Sequence, residues 1–358
     1  MPTSSPIESG RLLRYADALA EALAQEMAAD PTVFVMGLDI DDHKGILGST
    51  KGLLEKFGPE RVFTTPLSED AMTGVAIGAA MAGLRPVHVH IRMDFLMLCM
   101  NQLINIAAKS HYMYGGTVRV PMVVRSMIGK SWGQGSQHSQ GLYAMFMHVP
   151  GLKVVAPSNA HDAKGCLIAA IRDNNPVIFV EHRLLYGTEA YVPAAPFALA
   201  LGRPRVAAAG DDVTIVGVSN MAVESLRARE LLAETGIHAE VIDPVTLVPL
   251  DMETILRSVR RTGRLLVVDN AWTGCGASAE IVARAAESDP LPKGFRARRM
   301  GFAPTTCPTT PMLEKLYYPN PATIATTAYA MVRPDGPGWQ PSAERAALAY
   351  QTQFRGPF

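Results

Sequence analysis

Glu69 is the residue with the most to offer chemically. It follows Thr65-Pro-Leu-Ser68 and opens Asp70-Ala-Met-Thr-Gly-Val-Ala-Ile-Gly-Ala-Ala-Met-Ala-Gly83, an apolar run of small residues. Short polar side chains and negative charge both suit the free amides of a helix start, so Ser68 or the acidic pair Glu69/Asp70 fits a cap. Ala and Gly at 74, 76, 78, 79, 80 and 82 leave little bulk, so this helix can press close against a neighbour. The run is too apolar for a surface element, which puts Glu69 at the mouth of a buried one. Two readings stand: a helix-capping acid, or a buried catalytic carboxylate. His138, in Gln137-His-Ser-Gln140 of the Gly/Ser/Gln-rich loop 129–141, reads on composition as a solvent-facing histidine. Gly37-Leu-Asp-Ile-Asp-Asp-His-Lys-Gly45 is a polar loop of the kind that follows a strand. His148 reads as structural, and His111 and His161 as packing or surface residues.

The elements that must position these groups alternate strand and helix. Tyr15, Leu19, Leu23 and Met27 recur every four residues and predict an amphipathic helix over 11–29. Short apolar strands are expected at 33–36, 61–64, 86–91, 120–125, 152–156 and 176–180. Helices are expected at 53–57, from Glu69 onward, at 95–114, at 142–148 and from Asn159 or Asp162 to 172. Continuous apolar strands separated by helices predict a largely parallel sheet covered on both faces, with ligands at the carboxyl ends of its strands. The Pro- and Ala-rich stretch 183–206 reads as a linker. A second, smaller α/β unit follows, with strands at 213–218, 239–242, 265–269 and 295–299 and helices at 221–235, 252–260 and 277–287. Residues 1–10 read as a flexible tail. The stretch from Arg333 reads as peripheral, or as packed on a neighbouring subunit.

With 358 residues, 48% of them hydrophobic, the chain can bury a large core, and two domains are expected. Lys+Arg and Asp+Glu balance at 33 each, which gives no reason to expect nucleic acid or an anionic membrane as partner. The four cysteines (Cys99, Cys166, Cys275, Cys307) lie far apart, a pattern that fits a reducing compartment and not a zinc site. No apolar signal segment opens the sequence and no 18-residue apolar run occurs, which reads as a soluble cytoplasmic protein. The 18 methionines read as core or interface filler. There is no phosphate-binding glycine loop, no dinucleotide fingerprint and no nucleophile elbow.

Five blocks, at 52–69, 74–87, 107–116, 136–186 and 241–272, carry more than pattern. They include GPERVFTTPLSE around Glu69, SQHSQGLYAMF around His138 and VIDPVTLVPLD in the second unit. In order and content they resemble the β subunit of the E1 component of 2-oxo acid dehydrogenases (pyruvate, branched-chain and acetoin types), in the transketolase-like thiamine diphosphate superfamily. The resemblance spans about residues 12–330. It implies a pyrimidine-binding domain over 1–190, a linker over 191–206, a transketolase C-terminal-like domain over 207–332 and a tail over 333–358. It also implies thiamine diphosphate as cofactor, with the aminopyrimidine held by this chain. The diphosphate and magnesium would be held by an α subunit through a Gly-Asp-Gly…Asn motif that this sequence lacks, so no metal ligand is expected here. The implied assembly is α2β2, with a lipoyl-bearing E2 as possible partner.

Residue by residue, Glu69 matches the carboxylate that hydrogen-bonds the pyrimidine N1′ and favours the imino tautomer, whose N4′ takes the C2 proton. Leu67 resembles a contact beside the ring and Phe95 an aromatic that packs on it. Asp39 and Ile91 fall at further cofactor-binding positions. His138 matches a histidine that moves a proton during acyl transfer to the lipoyl group, with Gln137, Ser139 and Gln140 orienting it. Several positions depart from the family pattern. Leu38 replaces a Glu in Gly37-Leu-Asp39, Val89 takes the place of a Glu, Ile91 that of a Gln, and Tyr143 that of a Glu. His88, His90 and Arg92 are additions on the same edge. Glu69 and His138 are retained, so the leading expectation is a decarboxylating E1 β subunit. The altered edge keeps open a non-oxidative carboligase or transketolase-type transfer to another acceptor. A catalytically silent subunit that only supports an α chain is the third reading.

Overall fold

Every residue of the Val33–Gly37 strand is buried, as a strand must be when helices cover both faces of its sheet. In the computed structural model, which describes residues 11–42, 44–129 and 133–349, its side chains alternate between two cores. Val33 and Val35 join the helices Tyr15–Ala29 and Ala160–Arg172. Phe34 and Met36 join the helix Glu69–Met81. The same alternation in Arg85–His90 sends Val87 and Val89 to the first core. His88 and His90 point the other way, toward Thr73 of the Glu69–Met81 helix.

These strands lie in a seven-stranded sheet with the order Thr246–Val248, Lys153–Val155, Val177–His182, Val123–Ile128, Arg85–His90, Val33–Gly37, Val62–Thr64. All its pairings are parallel except that of Thr246–Val248 at the edge. From Val33–Gly37 the chain moves outward to Val62–Thr64, then crosses back to Arg85–His90 on the other side. That reversal opens a crevice outside the carboxyl ends of the strands. Gly37, at φ +155°, lies so close to the next strand that a Cβ would sit 2.3 Å from the Val89 carbonyl oxygen.

A second sheet has the order Arg296–Phe302, Arg264–Trp272, Val213–Gly217, Ala239–Asp243, Arg205–Ala208, with only the last strand antiparallel. Helices Asn220–Ala233 and Pro321–Val332 cover one face; Glu253–Thr262 and Ala277–Ala286 cover the other. The two sheets are joined by more than chain. Thr246–Val248 leaves the second unit to pair with Lys153–Val155 of the first sheet. Tyr143 donates its hydroxyl hydrogen to Asp269 and accepts from the Asn270 amide at 3.1 Å. The fold is therefore the expected parallel α/β sheet followed by a smaller α/β unit.

Several local expectations are corrected. Leu12–Arg14 is a strand, paired antiparallel with Glu189–Tyr191, so the first helix starts only at Tyr15. The stretch 183–206 is accordingly not bare linker: it carries Glu189–Tyr191 and the start of Arg205–Ala208. The strand expected at 120–125 runs from Val123 to Ile128. The single helix expected at 95–114 is a 3-10 turn over Met93–Cys99, a π segment over Asn101–Ala107 and an α turn over Ala108–Met113. Its buried residues explain the changes of pitch: Met93, Leu96 and Cys99 recur every three positions, then Leu103 and Ala107 every four. Ser68 precedes the Glu69 helix but its side chain makes no cap, whereas the Asn159 side chain accepts from the Asp162 amide at 2.9 Å. The Glu69 helix buries Thr73, Ala76, Ile77 and Ala80 but leaves Val75 and Met81 exposed, so only one of its faces is core in this chain. The described part of the C-terminal tail packs on its own chain: Trp339 lies 5.3 Å from Tyr329, and Arg345 donates to Glu234 at 2.6 Å. The expected tail at 1–10, residues 130–132 of the loop 129–141 and the last nine residues lie outside the described residues.

Candidate active site

Four adjacent parallel strands end at one cavity of about 570 Å3. Val33–Gly37 delivers Leu38, and Val62–Thr64 delivers Leu67 and Glu69. Arg85–His90 supplies His90 itself, then Ile91, Arg92, Phe95 and Leu98. Val123–Ile128 leads through the loop to His138. Glu69 is the first residue of its helix and half-buried, so its negative charge lies where the helix dipole favours it. The carboxylate faces walls of Leu38, Leu67, Ile91, Phe95 and Leu98. One carboxylate among these apolar walls, with His90, Arg92 and His138 as the other polar lining, suits a flat heteroaromatic ring that offers a polar edge.

The His138 ring stands edge-on to Phe95, with centroids 5.3 Å apart and planes at 80°. Its loop is tied down from two sides. Arg183 donates to the His138 carbonyl at 2.7 Å and also holds the Gln134 side chain. Gln140 donates to Asp94 Oδ1 from its side chain at 2.8 Å and from its amide at 3.2 Å. Burial pushes the Asp94 carboxyl up, against the opposing pull of those hydrogen bonds. Burial, reinforced by neighbouring Arg92, lowers Arg183 to about 9. Behind the cavity, the His88 and His90 rings lie 4.3 Å apart and Thr73 Oγ1 is 3.4 Å from His90 Nε2. Burial lowers His88 to about 4 and His90 well below the ordinary histidine value, so both are neutral at physiological pH.

Of the expected site residues, the cavity brings together Glu69, His138, Leu67, Phe95 and Ile91. Asp39 is exposed at φ +53° and lies outside the lining, as do exposed Gln137, buried Ser139 and Gln140, which acts on the loop through Asp94. The departures separate in the same way. Leu38 and Ile91 line the cavity, Val89 points into the core on the opposite face of the sheet, and Tyr143 joins the two units. His90, Arg92 and Leu98 are additional lining residues. Leu98 follows Phe95 by three positions, one turn of a 3-10 helix, which is the signal that places it on the same side. Among the described residues no group of three or more His, Cys, Asp or Glu side chains is placed to hold a metal ion. No helix among them is long and apolar enough to cross a membrane.

Comparison with known proteins gives a consistent result. Residues 12–189 match the family model "Transketolase, pyrimidine binding domain", and residues 202–324 match "Transketolase, C-terminal domain". The chain is 45% identical over 326 residues to the β subunit of acetoin:2,6-dichlorophenolindophenol oxidoreductase of Cupriavidus necator, covering 87% of this chain and 95% of that one. It is 45% identical over 308 residues to a mitochondrial pyruvate dehydrogenase E1 component subunit beta-1 of Arabidopsis thaliana, covering 85% of each. A solved chain described as "Split gene transketolase, inactive beta4 tetramer" aligns with a TM-score of 0.74 at 21% identity, covering 89% of this chain and 98% of that one, a likeness of fold.

Proposed function

The chain belongs to the β subunits of thiamine diphosphate-dependent 2-oxo acid and acetoin dehydrogenases, in the transketolase-like superfamily, and from this we propose that it decarboxylates a 2-oxo acid together with an α subunit. One observation carries the reading: Glu69, Phe95 and His138, far apart in sequence, line a single cavity at the carboxyl edge of the sheet. The cavity fits an aminopyrimidine, with Leu38, Leu67, Ile91, Phe95 and Leu98 for the ring faces and one carboxylate, Glu69, for its polar edge. When bound, thiamine diphosphate supplies the nucleophilic carbon and the electron sink that a 2-oxo acid needs to lose carbon dioxide. Glu69 holds the ring-nitrogen edge and shares a proton there, at a site where exclusion of water strengthens the interaction. Leu67, Ile91 and Phe95 pack the ring, and His138 moves a proton on the substrate side. Gln140 holds the loop that carries His138 through Asp94, Ser139 is buried in that loop and Gln137 exposed on it, and Asp39 is a further cofactor contact from the exposed loop after Val33–Gly37.

The diphosphate and magnesium fall to the α subunit in this reading, in keeping with the missing Gly-Asp-Gly motif, and the assembly is α2β2 in the cytoplasm. The acyl acceptor is the lipoyl group of an E2. The domain limits in this reading are 1–190 and 207–332, with 191–206 between them and a tail from 333, and the strands Glu189–Tyr191 and Arg205–Ala208 run across the two inner limits. A second reading, transfer to an aldehyde or ketone, is favoured by Leu38 and Ile91, which put apolar groups in the cavity where the family pattern has polar ones. The test is to assemble the chain with its α partner, thiamine diphosphate and magnesium, and offer 2-oxo acids with either a lipoyl domain or an aldehyde. Lipoyl reduction supports the first reading and a ligated hydroxyketone the second. Failure to release carbon dioxide from any 2-oxo acid refutes both.

A further inference from the structure

Arg92 enters the cavity wall between Ile91 and Phe95, in the same lining as Glu69 and His138. Its Nη1 donates to the Ile91 carbonyl at 3.0 Å, while its Nε is buried without a hydrogen-bond partner. No carboxylate among the described residues lies within ion-pair distance of it, Glu69 included. Asp94 is the nearby acid, and its Oδ1 already accepts twice from Gln140. A second guanidinium, Arg183, lies outside the lining and is committed to Gln134 and the His138 carbonyl, and it stands close enough to Arg92 for the two cations to oppose each other. His90 contributes no positive charge, because burial keeps it neutral.

Arg92 is thus the one guanidinium of the lining, with Arg183 near it; Glu69 shares the lining without pairing to it, and Asp94 is engaged by Gln140, beside Leu38, Ile91 and Leu98. A buried N–H without an acceptor, such as Nε, is costly, and the guanidinium's other N–H groups, paired with no described carboxylate, are the ones an anion in the cavity can meet. A guanidinium offers parallel N–H groups that match the two oxygens of a carboxylate. We propose that Arg92 recognises a carboxylate on the incoming substrate, so that this pocket selects acidic substrates over neutral hydroxyketones. The proposal rests on the reading of this cavity as the catalytic one, and it separates the two kinds of activity carried by the chain's relatives.

The test uses the assembled α–β complex with thiamine diphosphate and magnesium. Ligand-observed NMR would follow a non-reactive 2-hydroxy acid, 2-hydroxybutanoate, its neutral amide, and inorganic pyrophosphate. Arg92→Leu is expected to weaken the acid about ten- to hundred-fold, the range of one charged hydrogen bond, so that its advantage over the amide disappears. Arg92→Lys is expected to restore part of that advantage. In turnover, the KM for 2-oxobutanoate should rise by a similar factor with a much smaller change in kcat. Unchanged binding of the acid to Arg92→Leu overturns the proposal. So does equal weakening of acid and amide, or weakening of pyrophosphate alone, which would assign Arg92 to the cofactor. Absence of turnover in the wild-type complex counts against the proposed function, while the binding comparison still decides the role of Arg92.

Discussion

Replacing Glu69 with Gln separates catalysis from folding, because the structure gives its side chain little to stabilise. Glu69 makes no hydrogen bond or ion pair with a described residue, and it sits half-buried at the first position of the Glu69–Met81 helix. Its contribution to stability is the helix-dipole interaction of a negative charge near an N-terminus, about 0.3–1 kcal/mol. In a domain of this size that loss lowers Tm by about 1–4 °C. The catalytic loss is much larger. A glutamine keeps the shape but cannot share a proton as the carboxylate does, and loss of such a group costs about 10²–10⁴-fold in rate. That corresponds to about 3–5 kcal/mol of barrier. The assay is carbon dioxide release from a 2-oxo acid by the complex, with sedimentation to check assembly and calorimetry to check Tm. A variant that assembles, melts within these few degrees and retains more than a tenth of wild-type turnover would refute the assignment of Glu69.

Three further outcomes follow from buried groups around the site. Arg125 and Glu181 form a fully buried two-point ion pair, at 2.6 and 2.9 Å, so Arg125→Met should cost about 3–5 kcal/mol in urea unfolding by stranding the carboxylate. The double variant with Glu181→Leu should recover much of that loss. His88 is buried and its folded value lies near 4, below the ordinary 6.5, so its contribution is complete above pH 6.5 and is lost as pH falls through 4. The full loss amounts to about 3 kcal/mol, and His88→Leu should flatten that part of the stability–pH curve. Tyr143→Phe removes the hydroxyl shared by Asp269 and the Asn270 amide, so it should cost about 1–3 kcal/mol and loosen the contact between the two units, read by hydrogen exchange at 269–270.

The strand–helix alternation, the carboxylate at the head of a Gly/Ala-rich helix and the His-Ser-Gln loop are all local facts, and local sequence determines them. Continuous apolar strands such as Val33–Gly37 need cover on both faces, so the parallel sheet was legible too. Pairings between distant segments were not: Leu12–Arg14 with Glu189–Tyr191, and Thr246–Val248 crossing to the other sheet, depend on which edges remain open after folding. The pitch changes between Met93 and Met113 arise because the buried side chains must follow the surface beneath them, not from residue preference alone. At the site, residue type marked Glu69 and His138, whereas tertiary structure decided which neighbours share their cavity. The strand's two-residue period turns Val89 away to the far core and His90 toward the cavity, although they are adjacent in sequence. Arg92 acquires its meaning the same way: sequence alone gives it a charge, and only the packed wall leaves that charge without a carboxylate partner.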